Sequence, residues 1–92
     1  MTRIRFRNEA AADLRAIIDW YEQTAPQALP AIVTDIQRSL DLLERYPRAG
    51  MAVPDRTFRR IVTRDYHFKI AYEAAADGVI VIGIFRYQDR EA

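Results

Sequence analysis

Val79-Ile80-Val81-Ile82-Gly83-Ile84-Phe85 restricts the fold more than any other segment of the chain. A stretch without a polar side chain has to be buried, yet this one is far too short to cross a bilayer, which takes about 20 residues of helix. Its β-branched residues favour a strand. Alternation puts Val79, Val81 and Phe85 on one side and Ile80, Ile82 and Ile84 on the other. A strand apolar on both faces belongs inside a sheet and is covered over most of both sides. The remaining residues must then supply neighbouring strands and a layer to pack on them.

Those partners can be read upstream. Phe68 to Ala74 and Thr57 to Thr63 read as strands, and Ala75-Ala76-Asp77-Gly78 carries the Asp-Gly signature of a hairpin connection. Near the start, Arg3, Arg5 and Arg7 alternate with Ile4 and Phe6, the period of a half-buried strand at or near a sheet edge. Asn8 suits a helix cap, and Glu9 in the first turn complements the helix dipole. The helix runs to about Gln23, with Ala10, Leu14, Ile17, Ile18 and Tyr21 on one stripe and Asp13, Arg15, Asp19 and Glu22 away from it. Trp20 falls on the flank of that stripe, either lapping the core edge or anchoring a partner.

Thr24-Ala25-Pro26-Gln27 breaks the first helix. A second begins close to Pro30, whose missing N–H costs little in a first turn, and carries Leu29, Ile32, Val33, Ile36, Leu40 and Leu43. Leu42 points away from its buried stripe. Pro47 disfavours helix at Tyr46, and Gly50 permits a positive φ in the turn that follows. Met51 to Arg56 reads as a connecting loop. The expected fold is α+β, a single domain over residues 1–92. It has an N-terminal strand, an antiparallel two-helix hairpin and a mainly antiparallel three-strand segment, with the helices on one face of the sheet.

Half of the residues are hydrophobic, enough for a core, and no cysteine is present. That leaves no disulfide or thiolate site, and His67 is the only histidine, so neither metal nor cofactor is expected. The basic, alternating start has no apolar run behind it to make a signal peptide, which points to a soluble, cytoplasmic protein without membrane contact. His67 reads as a surface strand residue. Net charge is only +1, but thirteen of the fourteen basic residues are arginine. Between Arg45 and Lys69 seven basic residues face only Asp55 and Asp65. Arginine's planar fork binds carboxylate or phosphate bidentately, so Arg56, Arg59, Arg60 and Arg64 are candidates for contact with an acidic partner or RNA. The plainer alternative is a solvated strand and loop.

Four segments, in order, carry a family resemblance over Phe6 to Arg90. They are Ala12-Asp13-Leu14-Arg15-Ala16-Ile17, Leu43-Glu44-Arg45-Tyr46-Pro47-Arg48-Ala49-Gly50, Arg59-Arg60, and Phe68-Lys69-Ile70-Ala71-Tyr72. Together they resemble the RelE/ParE superfamily of type II toxin-antitoxin toxins. The resemblance implies a growth-inhibiting toxin held inactive by a cognate antitoxin. RelE-like members cleave mRNA on the ribosome; ParE-like members inhibit DNA gyrase. In the first case Arg60, Arg86, Tyr87 and Arg90 are the candidate catalytic set, with arginines stabilising charge and Tyr87 as acid or base. Where family members often end the last strand with His, this chain has Tyr87, and Lys69 is its only lysine. Both features favour the ParE branch, in which the protein acts by binding. Trp20, Leu42, Arg56, Arg59, Arg60 and Arg64 are then the expected partner contacts. A third reading is an inactive module that keeps only the antitoxin surface.

Overall fold

A computed structural model describes residues 3–86. The strand β1 (Arg3–Phe6) leads into α1 (Asn8–Thr24), a short 3-10 turn at Pro26–Ala28, and α2 (Leu29–Arg45). Four strands follow: β2 (Met51–Ala52), β3 (Arg59–Val62), β4 (Lys69–Ala75) and β5 (Gly78–Phe85). They form one sheet in the order β1-β5-β4-β3-β2, antiparallel except that β1 runs parallel to β5. The α+β expectation holds, with the sheet mixed through that one pairing. Met51 and Ala52, read as loop, pair with Arg60 and Arg59 and form a short second edge.

One core lies between the helices and one face of the sheet. Ala10, Ile17, Ile32 and Ile36 from the helices meet Phe68, Ile70, Val81 and Ile84 from the sheet. Leu43, Tyr72 and Val79 continue it under the end of α2. Each large apolar side chain buried there contributes about 1.5–3 kcal/mol. No second helical layer covers the opposite face among the described residues, and Ile80 and Ile82 are half-buried there.

The alternation expected along β5 is broken. Ala71 pairs with Gly83 but Tyr72 pairs with Val81, so Ile82 is an extra residue, a β-bulge. It resets the period, bringing Ile84 to the side of Val79 and Val81 in the core. Asp13, read as facing away from the apolar stripe, supports the bulge: its Oδ2 accepts from the Ile84 N–H at 3.1 Å.

Three local expectations are also corrected. Asn8 is the first helical residue, and the cap position is Arg7, extended at φ −70° and ψ 158° with no side-chain cap. Arg7 still donates its N–H to the Val81 carbonyl, so strand passes directly into helix. Gly50 and Gly78 do not take positive φ; Asp55 and His67 do, at 62° and 60°. A Cβ on Gly50 would lie 2.7 Å from the Tyr72 hydroxyl, and the Gly78 position has the Arg3 carbonyl pressed against it. These glycines permit close approach rather than an unusual turn. His67 is exposed as expected, but in the β3–β4 loop rather than in a strand.

Candidate functional site

The arginines of the basic segment are spread over several surfaces. Arg56 and Arg64 are exposed in the loops before and after β3, at opposite ends of that strand. Arg59 lies on the helix side of β3, opposite Tyr72. Its Nη1 donates to the Gly50 carbonyl at 2.8 Å, with the Arg48 carbonyl at 3.5 Å. Arg60 is opposite Ala71 and so lies on the face away from the helices.

Trp20 is 47% exposed on α1. Its ring meets Tyr21 edge-on at 4.8 Å between centroids. The Arg86 guanidinium lies 5.4 Å from the Trp20 ring centroid, within cation–π reach. Asp13, Ile84 and Phe85 help to close a cavity of about 290 Å³ beside this pair. Leu42 is 40% exposed in the last turns of α2. It borders a different hollow, shared with Arg38, Arg45 and Tyr46. Trp20 and Leu42 therefore lie on separate surfaces.

Of the candidate nuclease residues, only Arg60 and Arg86 fall within the described residues. Arg60 lies on the uncovered sheet face, whereas Arg86 lies against α1. Tyr87 and Arg90 lie outside the described residues. Among the described residues no group of three or more His, Asp or Glu side chains could hold a metal ion, and no helix is long and apolar enough to cross a membrane.

Asp35 went unnoticed in the sequence although it carries the most developed polar arrangement. It is buried on α2, where its Oδ1 accepts from the Asp65 N–H at 3.0 Å and its Oδ2 from the Tyr66 N–H at 2.8 Å. Burial pushes its pKa up, but hydrogen bonds from the Thr63 side chain and these two amides, with the field of His67, outweigh that and hold it below the usual carboxylate range. Thr63 is itself buried and closes the loop by accepting from the Phe68 N–H at 2.8 Å. The exposed Arg64, Tyr66 and His67 are thus presented on a pinned loop. The signal was present: Asp35 lies three residues from Ile32 and four from Ser39, on the inner stripe, where an acid needs a reason.

Three of the four sequence segments that carry the resemblance meet in space. The Gly50 N–H donates to the Tyr72 hydroxyl at 2.8 Å while its carbonyl takes the Arg59 guanidinium. Leu43 packs beside Tyr72. The helix-ending segment, the opening of β3 and the end of the Phe68–Tyr72 segment form one structural knot. A family model described as "ParE toxin of type II toxin-antitoxin system, parDE" matches residues 4–91. The chain belongs to the ParE toxin family. A solved structure of a chromosomal ParDE TA system from P. aeruginosa shares the fold with a TM-score of 0.80 and 23% identity, over 96% of this chain and 98% of that one. No curated protein matches the chain significantly. In this ParE-family toxin, Asp13, Gly50, Arg59 and Tyr72 all make hydrogen bonds that tie the scaffold together.

Proposed function

We propose that this ParE-family toxin arrests growth by binding DNA gyrase and that a cognate antitoxin holds it inactive in the cytoplasm. The observation that carries the choice of target is the separation of Arg60 from Arg86. Cleaving RNA without a metal needs charged groups converging on one phosphate, so that the attacking and leaving oxygens are served together. Inhibition by binding needs only a surface. An exposed Trp20 under Arg86, and Leu42 between Arg38 and Arg45, are the kinds of anchor that dominate protein interfaces. Membership of the ParE branch, for which gyrase inhibition is the implied activity, supports the same choice. The ParDE toxin-antitoxin system seen in P. aeruginosa supports the antitoxin as a partner.

The test is expression of the chain alone, followed by two assays on the purified protein. Growth arrest, with loss of gyrase supercoiling and intact mRNA, is the expected result. Ribosome-dependent mRNA cuts that disappear in Arg90→Ala would establish the nuclease instead. Normal growth with well-folded protein would leave only an antitoxin-binding module.

A further inference from the structure

The chain leaving α2 is fixed through its backbone. The Tyr46 N–H donates to the Leu42 carbonyl at 2.8 Å, the Ala49 N–H to the Tyr46 carbonyl at 2.9 Å and the Gly50 N–H to the Tyr72 hydroxyl at 2.8 Å. The Arg59 guanidinium holds the Gly50 carbonyl at 2.8 Å. With its main chain engaged, the segment presents side chains to solvent: Arg45 and Arg48 are exposed, and Tyr46 is 62% exposed. A segment pinned in this way loses little freedom when it binds.

These three side chains border a hollow of about 470 Å³. Pro47, Ala49, Ala74 and Ala75 supply the rest of its described lining, small and apolar, and none of it is acidic. Among the described residues neither Arg45 nor Arg48 forms an ion pair. Asp41 lines the adjoining hollow beside Leu42, where Gln37 donates to it at 2.9 Å. The first hollow thus combines two arginine forks, a phenol ring open to solvent and an apolar wall. Arginine pairs bidentately with phosphate, and an exposed ring stacks on a base.

An acidic peptide would meet the arginines but leave the ring and the apolar wall without a planar partner. A duplex hides the faces of its bases by stacking them on one another, so the ring suits an unpaired base. We propose that this hollow binds single-stranded DNA, with a base stacked on Tyr46 and the flanking phosphates on Arg45 and Arg48. The choice of DNA over RNA rests on the gyrase reading, because DNA is what gyrase works on. The hollow shares no lining residue with the Trp20 cavity. The toxin then touches the DNA of the gyrase complex as well as the enzyme.

The test is fluorescence anisotropy of a labelled twelve-nucleotide oligothymidylate with the purified toxin, without gyrase. Saturable binding is expected, and the logarithm of affinity should fall against the logarithm of salt with a slope of about −1.4, the value for two phosphates of a single strand. Arg45→Ala and Arg48→Ala should each bring that slope to about −0.7. Tyr46→Ala should weaken binding by about fivefold or more, and a duplex of the same length should bind more weakly by a similar factor. Arg15→Ala, exposed on α1, should change nothing. Absence of binding by the folded toxin, affinity unchanged in the three variants, equal binding of the duplex, or binding confined to oligouridylate overturns the proposal. Supercoiling is assayed in parallel. Gyrase inhibition by a toxin that binds no DNA overturns the proposal and leaves the gyrase reading standing. DNA binding through these residues with supercoiling unimpaired keeps the site and removes the gyrase reading.

Discussion

A carboxylate within an apolar stripe is costly unless its oxygens are used, and both oxygens of Asp35 accept backbone N–H groups. Asp35→Ala is expected to cost about 2 kcal/mol, read from the shift in urea midpoint, because two charge-assisted bonds are lost where water can partly replace them. The pH dependence has a definite sign. The folded-state pKa of Asp35 is lowered, so its contribution is fully present above the unfolded value of about 3.9 and is lost as pH falls through the folded one. The stability gap between the protein and Asp35→Asn should be flat from pH 7 to about 5 and close progressively below about 4. Trp20 behaves differently, since nearly half of it is already in water. Trp20→Ala should leave the fold intact by circular dichroism and weaken antitoxin binding about tenfold or more, as removal of a hot-spot aromatic does. Unchanged affinity would make Trp20 a cover for the core edge only.

At the scale of an element, β5 is decided by its bulge. Val79 and Val81 face the helices before it and Ile84 after it, so one inserted residue keeps the strand in register with a curved core. Deleting Ile82 would remove the bulge and leave Val81 and Ile84 opposite Tyr72 and Ile70 with plain alternation between them. Ile84 should stay in the core, so the loss read from chemical denaturation should remain below the roughly 2 kcal/mol that exposing such a side chain costs. β1 depends on a glycine in the same way. The Arg3 backbone lies against Gly78, so Gly78→Ala should push β1 away from β5. Faster exchange of the Arg5 and Arg7 amides, with the core of β4 still protected, is the expected signature; unchanged exchange would mean that the strand relaxes around the methyl group.

Across the whole molecule, positive charge is distributed rather than pooled. Arg3, Arg5 and Arg7 line the β1 edge, Arg38 and Arg45 flank Leu42, and Arg56 and Arg64 occupy opposite ends of β3. That pattern suits an acidic partner wrapping over several surfaces better than a ligand held at one point. Association with the antitoxin should therefore slow as salt rises from 50 to 500 mM. The expected change is about tenfold or more, measured by stopped-flow fluorescence of Trp20, while dissociation changes much less. A rate insensitive to salt would place recognition in the apolar contacts alone.

The sequence alone determined the helices, four of the five described strands and their order along the chain, because each rests on local signals: two apolar stripes of helical period, Pro30 and Pro47 at helix ends, and a β-branched run that has to be buried. It also determined the family, through segments spaced along almost the whole chain. Its reading of Gly50 found the right position but the wrong cause, since the groups crowding that residue come from Tyr72 and Arg60 rather than from the turn itself. Only the tertiary structure decided that β1 runs parallel to β5, that Ile82 is bulged out, and that Asp13 and Asp35 serve backbone amides of distant strands and loops. It also separated Arg60 from Arg86. The physical reason is the same in each case: periodicity reports which way a residue faces within its own element, whereas pairing, close approach and convergence depend on partners many residues away. The apolar run from Val79 to Phe85 required a sheet, and packing alone chose which of its side chains the helices cover.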